Sequence, residues 1–231
     1  MTASRLLLAA GLIMAATPAF AATGETSAAE AQTLALTKES IALRSVRGPG
    51  NETGKVAQLL ADALRNGGWS ADQVEIVPFD DTAYLIATWP GSDPALGPVV
   101  ISAHLDVVEA DPKDWERDPF TPVVENGLLY GRGASDTKFD AVQAMVAVME
   151  LRKSGFRPRR GIVIAYSGDE ETTMLTSKVI AERLKHAHLV LRAVSTHSDP
   201  PRLPQAASWG GAVRRAGWMP ERGRRRGHGA A

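Results

Sequence analysis

The sequence of 231 residues contains no cysteine. That absence excludes a disulfide framework, a thiolate metal site and a cysteine nucleophile, so any bound metal must be held by His, Asp and Glu. Net charge is also absent, but the zero is a cancellation. Residues 1–191 carry 18 Lys and Arg against 24 Asp and Glu, whereas residues 192–231 carry 8 against 2, and all eight of these cations are Arg. The apolar run near the start, LLLAAGLIMAA, is too short to span a bilayer. There is no internal repeat.

What is present is globular in composition, with 44% hydrophobic and 23% charged residues. The beginning reads as a signal peptide over residues 1–21: Arg5 gives a positive start, the apolar run follows, and Ala19-Phe20-Ala21 gives a small-x-small cleavage pattern. Cleavage after Ala21 is expected, with export to a periplasmic or secreted location and no membrane attachment afterwards.

Two helices are expected at the start of the mature chain, over 27–46 and 51–68, the second stopping at Gly67-Gly68. QVEIVPF, AYLIATWP and PVVISAH read as strands. Residues 110–133 form a long irregular connection with a hairpin expected at TPVVENGLLYG. A helix over 136–155 carries the apolar stripe Phe139, Val142, Met145, Val146 and Met149, which reads as core filling. The strand GIVIAYSG, the helix TSKVIAERLKHA and the short strand HLVLR complete the pattern. Alternating strands and helices predict an α/β fold with a mostly parallel or mixed sheet flanked by helices.

Ligands of such sheets gather beyond the carboxyl ends of the strands. There the sequence places His104 and Asp106 after VVIS, Asp136 after GRGAS, and Glu170 and Glu171 after IVIAYS. Taken singly, each has a structural explanation. His104 and Asp106 could be a satisfied polar pair, Asp136 a helix N-cap, and Ser167 with Glu170 a capping box. Gly131 and Gly133 match neither common nucleotide-binding spacing. Taken together, one His and several carboxylates without Cys form a donor set that suits zinc or a similar divalent ion.

The phrases SAHLDVV, WERDPFTPVVENGLLYGRGASDTK and GDEE stand in that order. They resemble the co-catalytic di-zinc metallopeptidases and deacylases, a family that includes aminoacylases, glutamate carboxypeptidases, acetylornithine deacetylases and succinyl-diaminopimelate desuccinylases. The resemblance runs from about residue 33 to Leu191, which assigns residues 22–191 to a partial, zinc-exopeptidase-like catalytic domain. It implies two zinc ions and an amide bond of a peptide or N-acyl amino acid as substrate. It also implies that His104 binds one metal, that Asp106 orients its imidazole, that Asp136 bridges the two ions and that Glu171 binds the second. Glu170 would be the general base, taking a proton from the attacking water and returning it to the leaving amine. The Asp136–Thr137 bond matches the family's non-proline cis peptide.

The sequence then departs from the family. Aligning AHLVLRAV with the family phrase puts Val194 where an acidic metal ligand belongs, so the ligand set is incomplete. A later His ligand and the dimerisation domain have no counterpart, so a family-type homodimer is not expected. Residues 192–231 are expected to be an aberrant, disordered basic tail produced by a frameshift or an erroneous gene model. His197 and Asp199 repeat the His-x-Asp spacing, and Arg224 to Arg226 form a basic run, but neither makes a site or a nucleic-acid interface on this reading. The alternative to an exported amide hydrolase is an incompetent fragment of one.

Overall fold

The structure, a computed structural model, describes residues 26–193. The expected leader at 1–21 and the residues Val194, His197, Asp199 and Arg224 to Arg226 lie outside that range. No helix among the described residues is long and apolar enough to cross a membrane.

Two helices come first. α1 (Ala28–Ala42) opens with a reciprocal cap, in which the Glu30 backbone N–H donates to Ser27 Oγ and the Ser27 N–H donates to the Glu30 carboxylate. Its buried face is polar, and Thr33, Thr37 and Ser40 each donate to a carbonyl in the preceding turn of the same helix, which satisfies their hydroxyls without a partner from elsewhere. α2 (Thr53–Asn66) is amphipathic, burying Val56, Ala57, Leu60, Ala61 and Leu64, and stops where the Gly67 N–H donates to the Ala63 carbonyl. α1 ends earlier than the sequence spacing suggests, whereas α2 stops at Gly67 as expected.

The sheet contains β1 (Val74–Phe79), β2 (Thr82–Trp89), β3 (Val99–His104), β6 (Ile162–Ser167) and β7 (Leu189–Arg192), in the order β1-β2-β6-β3-β7. β1 with β2 and β2 with β6 are antiparallel, whereas β6 with β3 and β3 with β7 are parallel. The sheet is therefore mixed. A separate hairpin of β4 (Val123–Glu125) and β5 (Leu128–Tyr130) turns through Asn126 and Gly127, both at positive φ, as the Asn-Gly pair in the sequence predicts.

Period-2 alternation in β6 divides the core between two faces. Ile164 and Tyr166 face α2 and α3 (Lys138–Lys153), where they pack with Leu60, Leu64, Val142 and Met145. Val163 and Ala165 face the other way, towards Ile180 of α4 (Leu175–Arg183). Fully burying one such aliphatic side chain stabilises by about 1.5–3 kcal/mol. Of the apolar stripe on α3, Val142, Met145, Val146 and Met149 are buried and Phe139 is only half-buried.

Because β3, β6 and β7 run in one direction, their carboxyl ends fall at one edge. His104 pairs in register with Ser167, and Ser102 with Arg192. The last residue of β3, the turn after β6 and the last residue of β7 are thereby neighbours. Arg192, which composition alone groups with the tail, is part of the sheet.

Candidate metal centre

His104 ends β3 with 4% of its surface exposed, and the chain after it is tied down at once. The Leu105 N–H donates to the Ser167 carbonyl at 2.8 Å, Ser45 Oγ donates to the Leu105 carbonyl at 2.8 Å, and the Val107 N–H donates to the Ser45 carbonyl at 3.0 Å. This fixes Asp106, itself 3% exposed, beside the imidazole. His104 Nδ1 donates to the backbone carbonyl of Asp106 at 2.9 Å, and an Asp106 carboxylate oxygen lies 3.4 Å from the same nitrogen. Nε2 is left pointing outwards, 3.1 Å from Asp136 Oδ1 and 4.0 Å from Glu170 Oε2.

The Asp106 carboxylate makes a contact that the sequence does not suggest. It accepts the backbone N–H of Glu170 at 3.0 Å on one oxygen and that of Glu171 at 2.9 Å on the other. Asp106 is thus the clamp between β3 and the acidic turn, and its carbonyl rather than its carboxylate makes the closer contact with the imidazole.

The turn itself is held from beneath by Asp169. This carboxylate accepts the Leu175 N–H at 2.8 Å and the Thr176 N–H at 3.0 Å, and also the hydroxyls of Thr173 and Thr176. Burial alone would raise its pKa, but the Thr173 and Thr176 hydroxyls and the Leu175 and Thr176 amides hold it below the usual range. Gly168 lets the turn lie against β2, since a Cβ there would come within 2.0 Å of the Ala83 carbonyl oxygen. α4 begins only at Leu175, so Ser167 and Glu170 do not form the capping box that their spacing allows.

Asp136 enters from the start of α3. It is not the cap of that helix, because the N-cap position belongs to Thr137, and the Asp136–Thr137 peptide is cis, as the sequence resemblance implies. The Asp136 side chain is 65% exposed. Its neighbours are fixed: Thr137 Oγ1 donates to the Ala193 carbonyl at 3.2 Å, and the Lys138 N–H donates to the Gly133 carbonyl at 3.0 Å. Lys138, 1% exposed, sends its Nζ to the carbonyls of Ser40 and Leu43 at 2.6 and 3.0 Å, satisfying oxygens that α1 leaves unpaired at its end. Burial lowers its pKa to about 7.

One donor atom from each of His104, Asp136 and Glu171 lies within 4.8 Å of the other two. That nitrogen-and-carboxylate set fits a divalent cation of the zinc type, with Nδ1 fixed by a carbonyl so that Nε2 is the nitrogen turned towards the carboxylates. The charge balance of the cluster shows in its acid–base behaviour. Burial opposes charge on His104, but the hydrogen bond and attraction of Asp106 outweigh it and push the imidazole up to about 9. Burial raises the Glu171 carboxyl; His104 offsets part of that rise, while Asp136, Glu170 and Asp106 add to it. Glu170 stands beside the three donors, with Oε1 ion-paired to Arg192. All five candidate residues thus meet at one edge. Lys138, Asp169, Gly168 and Arg192, which support or contact them, are not singled out by sequence reasoning, although the threonine-rich DEETTMLT stretch is a signal for Asp169.

The sequence pattern of Peptidase family M20/M25/M40 matches residues 100–210. Aminoacylase-1 of Sus scrofa is 32% identical over 143 residues, covering 62% of this chain and 34% of that protein. The N-fatty-acyl-amino acid synthase/hydrolase PM20D1 of Mus musculus is 41% identical over 86 residues, covering 37% of this chain and 17% of that protein. In fold, 70% of the chain superposes on 37% of the M20 family metallo-carboxypeptidase Sso-CP2 of Sulfolobus solfataricus, with a TM-score of 0.60 and 22% identity. Human carnosine dipeptidase 1 matches 71% of the chain with 38% of its own, with a TM-score of 0.53 and 26% identity. The chain spans about a third of the length of the aminoacylases it matches.

Proposed function

We propose that this chain carries the N-terminal part of a catalytic domain of the peptidase family M20 type and performs an exported, zinc-dependent hydrolysis of the amide bond in a peptide or N-acyl amino acid. The observation that carries this reading is the convergence of His104, Asp136 and Glu171 donor atoms within 4.8 Å, beside the Glu170 carboxylate. The aminoacylase and dipeptidase relatives support the substrate class, and the apolar segment near Arg5 supports export.

His104, Asp136 and Glu171 would hold the cation. Bound there, it supplies a more acidic water and a polarised substrate carbonyl. Glu170 takes the proton of the attacking water and delivers it to the departing amine nitrogen, so that the C–N bond breaks with a neutral leaving group. Asp106 keeps both ends of this machinery in register: its carbonyl holds His104 Nδ1 and its carboxylate holds the backbone that presents Glu170 and Glu171. Lys138 fixes the start of α3, and with it Asp136, to the end of α1.

A second reading, a chain that holds a cation without cleaving amides, draws on the engagement of Glu170 by Arg192. The two readings part on hydrolysis by the zinc-loaded chain of N-acetyl amino acids and dipeptides, with Glu170→Gln alongside. Loss of a general base lowers turnover by about 10²–10⁴-fold, and the variant is expected to show that loss while still binding zinc. No hydrolysis of either substrate class by the zinc-loaded wild type sinks the hydrolase reading.

A further inference from the structure

The cluster at the carboxyl edge of the sheet is acidic, with Asp136, Glu170 and Glu171 around one imidazole, yet it has a cation of its own. Arg192 closes β7, and its backbone position is fixed by pairing with Ser102. From there its guanidinium reaches Glu170 Oε1, while the other oxygen of that carboxylate lies 4.0 Å from His104 Nε2. Lys138 also feels the charge of Asp106, but its Nζ is turned away to the Ser40 and Leu43 carbonyls. The Arg192 side chain is 51% exposed and that of Glu170 22% exposed, so the pair sits at the mouth of the cluster rather than in the core.

We infer that Arg192 is a built-in counter-cation of this cluster, a positioning residue that holds Glu170 and weakens the binding of a divalent ion by His104, Asp136 and Glu171. The inference rests on the metal-site reading. Its physical basis is charge: the guanidinium offsets one carboxylate of the site and repels a second cation arriving a few ångströms away. Arg192 also engages Oε1, one of the two oxygens through which Glu170 would accept a proton. A guanidinium remains charged at every pH at which the protein is folded, so the effect persists while His104 titrates.

The test is zinc binding by the full-length chain, followed with a competing chromophoric chelator, for wild type, Arg192→Gln and Arg192→Lys at low and at high salt. With the screening of bulk water, a divalent ion roughly 7 Å from a unit charge feels a repulsion worth about tenfold in affinity. Arg192→Gln is therefore expected to bind zinc about tenfold more tightly, Arg192→Lys close to wild type, and the gap to narrow at high salt. Arg192 is half exposed at a strand end, so both variants are expected to fold, with circular dichroism as the check.

The two readings fail in different ways. If wild type binds zinc, if His104→Ala abolishes that binding, and if Arg192→Gln matches wild type or binds more weakly, the counter-cation inference is overturned while the metal site stands. If neither wild type nor Arg192→Gln binds zinc, both fall.

Discussion

The carboxylate of Asp106 accepts the backbone N–H of Glu171 at 2.9 Å, with its other oxygen taking the N–H of Glu170 at 3.0 Å. A residue of the β3 edge thereby sets where two acidic side chains of the β6 edge begin. Asp106→Ala strips both amides of their buried acceptor, at about 1–3 kcal/mol for each group left unpaired. Urea unfolding is expected to show a loss of roughly 3 kcal/mol, and zinc affinity is expected to fall by about 10–100-fold, as for other groups that orient a metal ligand. A loss below about 0.5 kcal/mol with unchanged zinc affinity contradicts this role.

Gly168 gives a steric prediction. Its missing Cβ would sit 2.0 Å from the Ala83 carbonyl oxygen and 2.5 Å from Thr82 Oγ1, and the nearer atom is backbone that cannot rotate away. Gly168→Ala is therefore expected to push the acidic turn off β2 and to cost about 3 kcal/mol, at the upper end of overpacking effects. Thermal unfolding measures it, and an alanine variant as stable as wild type shows that the turn does not lie as closely on β2 as described.

Asp169 gives a pH signature. Its pKa in the folded protein is depressed, so its contribution to stability is fully present above the unfolded-state value of about 3.9 and is lost as the pH falls through the lower folded-state value. Asp169→Asn keeps the shape and loses the charge. The variant is expected to be about 2–3 kcal/mol less stable than wild type at pH 7, the scale of hydrogen bonds to an ionised group, with the difference shrinking under acid conditions below about pH 4. Chemical denaturation across pH 3–7 tests this, and a difference that does not change with pH rules out the charge as its source.

Much of the fold is legible in the sequence because the strongest elements are periodic. α3 shows its stripe, β3 and β6 are short apolar runs bounded by turn residues, and Asn126-Gly127 specifies its hairpin. The site residues are legible because polar side chains at the ends of apolar strands stand out against their surroundings. Less legible is what holds them. Asp136 and Ser167 look like caps locally, yet α3 is capped at Thr137 and α4 starts eight residues after Ser167, because Asp169 organises the intervening turn instead. Asp106 reads as a partner of His104 through the two-residue spacing, whereas its carboxylate bonds lie 64 and 65 residues away in sequence. The reach of Lys138 to Ser40 and of Arg192 to Glu170 likewise depends on tertiary placement that no local pattern encodes.

Whether His104, Asp136 and Glu171 together hold a divalent cation is decided by zinc titration of the purified chain beside His104→Ala and Glu171→Ala. Saturable binding by wild type is expected, reversed by chelator and weakened by about 100-fold or more in either variant, since each removes one of the three donors clustered among the described residues. Zinc binding that is absent in wild type, or present and indifferent to both substitutions, contradicts a cation site there.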